Sequence, residues 1–119
     1  MIFTYQQKQI HYHIHGEGIP LVLLNGIMMS TSSWDVFNDR FKGFKRITLD
    51  FYDQGKSADH TETYTIQDQA SLLDSLLSEL DLPSMHLVGI SYGGEVAIAF
   101  ATMYPSKVLS LHIFNSAIH

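Results

Sequence analysis

One serine in this chain stands where chemistry would need it. The stretch HLVGISYGGEVAIAF, residues 86–100, passes from an apolar run through Ser91 into a small-residue run, with Gly89, Gly93 and Gly94 around the hydroxyl. A strand that turns sharply into a helix brings two backbones together, and glycines leave room where Cβ atoms would collide. The serine is then presented at a helix N-terminus, where converging N–H groups can stabilise the oxyanion formed by attack on a carbonyl. The same pattern also fits a purely structural use, in which the glycines allow tight packing and the serine caps the helix.

A hydroxyl nucleophile needs a base, and the base needs an orienting carboxylate. After Ser91 the chain has one acidic residue, Glu95, which suits the positive end of the helix dipole rather than a triad. The later histidines are His112, inside an apolar alternating run, and His119, the last residue. A terminal residue is a poor choice for a positioned base.

Other chemistry-bearing residues are fewer. HYHIH puts His11, His13 and His15 on one face of a strand, where two of them could share a metal. No neighbouring carboxylate or cysteine completes a ligand set, so a solvated strand face is expected and no metal is assigned. Asp50 ends an apolar run and is expected at the rim of a crevice, hydrogen-bonded to loop backbone. The GEG at 16–18 lacks the spacing and the helix of a dinucleotide site, so no cofactor is expected.

The elements that must position Ser91 are legible from periodicity. Residues 2–6 and 10–15 read as a hairpin, the second strand alternating Ile10, Tyr12 and Ile14 against the histidines. HGEGIP is a turn in which Gly16 and Gly18 supply positive φ. LVLLNG, RITLDF and MHLVGI are continuous apolar runs, the mark of parallel strands buried on both faces, and VLSLHIFNS is a fourth. Between them, STSSWDVFNDRF carries Trp34, Phe37 and Phe41 at helical spacing, and Thr65 with Asp68 caps a helix bearing Ile66, Ala70, Leu73, Leu77 and Leu80. GGEVAIAFATMY gives the last helix, ending before Pro105. The order β-β-β-α-β-α-β-α-β specifies an α/β, mostly parallel, doubly wound sheet with right-handed crossovers.

Composition narrows the partners. The 119 residues suffice for one domain with a core, and a formal charge of −5 with scattered basic residues argues against nucleic acid. The absence of cysteine excludes a disulfide scaffold and a thiolate nucleophile. The N-terminus has no basic stretch followed by an apolar run, so neither a signal peptide nor a membrane helix is read there, and the cytoplasm is the expected compartment.

Taken together, these segments resemble the α/β-hydrolase family over nearly the whole chain. GEGIPLVLLNG is similar to the family's entry into its third strand, DFYDQGKS to the loop after the fourth, and GISYGGEVAIAFATMYPSKVLSLHIFNSA to the nucleophile elbow with the helix and strand that follow. The resemblance implies strands one to six of an eight-stranded sheet, with Ser91 as nucleophile and the N–H groups of Ile27 and Tyr92 as oxyanion hole. It also implies Gly26, Gly89, Gly93, Gly94 and Asn25 as support for the elbow and loop. Asn25 stands where the family often has histidine, and Asp53 where it has a glycine in the loop. Asn25 can brace the oxyanion loop by hydrogen bonding, while Met28 and Met29 either wall an acyl pocket or simply pack.

The expectation is that residues 1–119 are the N-terminal part of a single hydrolase domain, lacking its last strands and cap. Its function would be serine hydrolysis of a small ester or lactone through an acyl-enzyme at Ser91, with acid and base beyond residue 119. The 119 residues alone would then be inactive. Two other readings stand beside it. One is a binding or signalling module that keeps the elbow without turnover. The other is a half-sheet that assembles with another chain through its exposed last strand, because an uncovered apolar edge invites pairing. The expected partner is a small acyl substrate, with neither nucleic acid nor membrane.

Overall fold

The structure is a computed structural model of the 119-residue chain, and it describes residues 1–6, 8–26, 34, 42–51 and 65–114. Six strands form one sheet: β1 (Ile2–Tyr5), β2 (Lys8–His15), β3 (Ile19–Leu24), β4 (Phe44–Leu49), β5 (Met85–Ile90) and β6 (Val108–Phe114). Their spatial order is β1-β2-β4-β3-β5-β6. β1 and β2 make the antiparallel hairpin read from the sequence, β2 runs antiparallel to β4, and β4, β3, β5 and β6 are mutually parallel. Gly16 and Gly18 hold φ of 80° and 122° in the turn between β2 and β3.

Two helices, α1 (Ile66–Glu79) and α2 (Tyr92–Met103), pack on one face of this sheet. α1 starts as its sequence specifies. The Thr65 hydroxyl accepts from the Asp68 N–H at 3.0 Å, and the Asp68 carboxylate accepts from the Thr65 N–H at 2.8 Å, a complete capping box. Leu72, Leu73, Leu76 and Leu77 then meet Val22, Leu24, Ile47, Leu49 and Leu87 in a fully buried cluster. Leu80, read as part of the helical face, is instead the C-cap residue, packed against the margin of that cluster.

The other face of the sheet is built from the alternate residues of the same strands. Leu21 and Leu23 lie there with Trp34, flanked by Phe44, Val88 and Ile90. β3 is therefore buried on both sides, which is what its unbroken apolar run requires. The helix expected over residues 30–41 lies outside the described residues apart from Trp34.

Candidate active site

The carboxyl ends of three neighbouring parallel strands deliver Asn25, Asp50 and Ser91 to one edge of the sheet. Ser91 joins β5 to α2 with φ 53° and ψ −116°, a backbone state that side chains other than glycine rarely adopt. Such a conformation costs on the order of 1–3 kcal/mol and persists only where its surroundings impose it.

Those surroundings can be named. A Cβ on Gly93 would lie 2.6 Å from the Asn25 carbonyl oxygen, and one on Gly89 would lie 2.7 Å from the Gly94 Cα. The start of α2 is thus pressed against both its own strand and the end of β3, and only glycine fits. The Ser91 N–H donates to the Phe114 carbonyl at 2.9 Å, which ties the elbow to the end of β6. The Ser91 carbonyl accepts from the Gly94 and Glu95 N–H groups at 2.9 and 3.2 Å and opens the helix.

The alternative use of this serine was as a helix cap. Ser91 occupies the N-cap position, yet its side chain makes no capping bond. Glu95 lies in the first turn of α2, as the dipole reading has it.

Asn25 is fully buried, and each end of its amide is used. Its Nδ2 donates to the Leu49 carbonyl at 2.7 Å and reaches the Asp50 carboxylate at 3.4 Å, while its Oδ1 accepts from the Trp34 indole at 2.6 Å. It therefore ties the ends of β3 and β4 together and holds Trp34 there, while the oxyanion loop it was expected to brace lies outside the described residues. Asp50, at the carboxyl end of β4, is 1% exposed. Its described carboxylate contact is the Asn25 amide, and its N–H donates to the His11 carbonyl at 2.9 Å. The loop that it was expected to hydrogen-bond lies outside the described residues.

Tyr92, the first residue of α2, stands on the Phe51 ring edge-on, with centroids 5.8 Å apart. An N–H at this position points out of the helix start rather than into the intrahelical ladder. Gly26 directly follows Asn25; Ile27, Met28, Met29, Asp53 and His119 lie outside the described residues.

Two clusters of polar side chains lie away from the elbow, and the first was not anticipated. His86 Nδ1 and His112 Nε2 both contact the Ser110 hydroxyl, at 2.6 and 3.0 Å, on the sheet face opposite α1 and α2. The other departs from the solvated face expected of HYHIH: His11 and His13 are half-buried, with their Nε2 atoms 3.0 Å apart, and only His15 is exposed. The alternation in VLSLHIF was the available signal for the first cluster, but the β5–β6 register was needed to pair His86 with Ser110.

A mostly parallel sheet with helices, a glycine-walled strand-to-helix elbow and a serine at positive φ define the class. The alpha/beta hydrolase fold model matches residues 19–119, and the chain belongs to that family. The chain is 35% identical over 106 residues to a 2-hydroxy-6-oxononadienedioate/2-hydroxy-6-oxononatrienedioate hydrolase of Pseudomonas putida, covering 83% of this chain and 37% of that protein. It is 31% identical over 108 residues to a haloalkane dehalogenase of Agrobacterium fabrum, covering 90% of this chain and 36% of the relative. Among solved structures, MGS-M2, an alpha/beta hydrolase enzyme from a Medee basin deep-sea metagenome library, superposes with a TM-score of 0.91 at 42% identity. That match covers 95% of this chain and 43% of the other. The chain thus spans well under half the length of these relatives.

Proposed function

We propose that this chain carries the nucleophile half of a serine hydrolase acting on a small ester or lactone. Ser91 attacks the carbonyl carbon and the C–O bond to the alkyl oxygen breaks, releasing the alcohol of an ester or freeing the tethered hydroxyl of a lactone, and water then hydrolyses the acyl-enzyme. The N–H groups of Tyr92 and Ile27 receive the oxyanion, Asn25 with Gly26 holds the loop that carries Ile27, and Met28 and Met29 face the acyl group. The acid and base come from sequence beyond residue 119. The observation that carries this reading is the Ser91 backbone, held at φ 53° between Gly89 and Gly93 with its side chain uncommitted to capping. Strain of that kind is kept where it presents a reacting group.

Intact mass spectrometry of the native gene product after a fluorophosphonate probe tests it. A single label on a product longer than 119 residues, mapped to Ser91 and lost in Ser91→Ala, is expected. A native product that takes no label at Ser91 overturns it, and the non-catalytic binding module takes its place.

A second reading has its own observation. β6 lies at the edge of the described sheet and exposes Leu109, Leu111 and Phe114, beside an open groove of about 470 Å³ lined in part by Leu21, Phe44 and Val88. An uncovered apolar edge fits a half-sheet completed by another chain. Sedimentation across a concentration series distinguishes it, because assembly makes the size concentration-dependent and a stable monomer rules it out.

A further inference from the structure

We propose that His11 and His13 form a two-imidazole site for a divalent transition metal of the zinc or copper type. The two residues alternate along β2 and so share one face of it, and their Nε2 atoms meet at 3.0 Å with the rings inclined at 67°. A contact of that length between two ring nitrogens is bridged by one proton, with either ring as its donor. In a tetrahedral shell with Zn–N bonds of about 2.0–2.1 Å, two ligand nitrogens stand about 3.3 Å apart. An opening of a few tenths of an ångström therefore turns the contact into a chelate. The bridging proton moves to Nδ1 of its own ring, and both Nε2 lone pairs face the ion.

The residues opposite support the position. In the β2–β4 ladder, Thr48 faces His13; it is 2% exposed, and its hydroxyl has no hydrogen-bond partner among the described residues. It is a polar group that a metal-bound water would satisfy. Charge also varies along this face. Buried Arg46 lies opposite His15, and Asp50, whose N–H bonds the His11 carbonyl, lies at the other end. A cation is therefore favoured at His11 and His13 and disfavoured at His15, whose ring is 6.0 Å from that of His13. Imidazole donors without carboxylate ligands select zinc, copper or nickel over magnesium or calcium. With two protein ligands and water in the other positions, the ion is exchangeable.

Calorimetric titration of the metal-free chain with zinc chloride reads the site, with circular dichroism to confirm that each variant folds. Uptake of one ion is expected. Outer-shell partners alone are worth roughly 10–100-fold in metal affinity, so His13→Ala and His11→Asn should each weaken binding at least that much. His86→Ala and His112→Ala should leave it unchanged. No uptake at millimolar zinc, or uptake indifferent to His11 and His13, overturns the proposal. Copper(II) electron paramagnetic resonance on the unsubstituted chain gives a readout independent of variant folding: coupling to two imidazole nitrogens is expected, and coupling to one or none overturns it.

Discussion

Trp34 donates its indole N–H to the Asn25 side-chain oxygen at 2.6 Å, in a site closed to water. The other end of the same amide donates to the Leu49 carbonyl. Asn25→Ala would leave a buried indole donor and a buried carbonyl without these partners, at about 1–3 kcal/mol for each group that stays unsatisfied. We expect a loss of roughly 2–4 kcal/mol in urea unfolding. Asn25→Asp should also destabilise, because it keeps the acceptor for Trp34 but replaces the donor to Leu49 with a second oxygen.

Ser91 has a strained backbone that glycine would relieve. Ser91→Gly is expected to raise unfolding stability by about 1–2 kcal/mol over Ser91→Ala, since both lose the hydroxyl and only glycine adopts φ 53° cheaply. Equal stabilities for the two variants in chemical denaturation would show that the elbow is not strained.

Gly93 meets the end of β3 without space for a methyl group. Gly93→Ala must push α2 away from Asn25, and an overpacking cost of about 1–3 kcal/mol is expected. Because the displaced backbone includes Tyr92, labelling of Ser91 in the native gene product should fall with it. Thermal melts and probe kinetics on the same variant read the two effects.

The cap of α1 gives a prediction remote from the site. Thr65→Ala removes the acceptor for the Asp68 N–H and should cost about 0.5–2 kcal/mol. Thr65→Ser keeps the hydroxyl and should lose much less. A pair of equilibrium unfolding curves separates them.

What the sequence determined by itself was whatever is encoded within a few residues. Apolar runs located β3, β4 and β5, the Thr65–Asp68 spacing marked the start of α1, and the glycines about Ser91 specified a close backbone approach. These follow from local sterics and periodicity, which a neighbouring residue type suffices to reveal. Only the tertiary structure decided the side-chain partners. Asn25 bonds across 24 residues to Leu49 and across nine to Trp34, and His86 meets Ser110 across 24, through strand registers that no spacing in the chain prints. The same limit explains the histidines of β2. Alternation placed them on one face, but whether that face met water or brought two imidazole nitrogens to 3.0 Å depended on their side-chain conformations and on what packs over the strand.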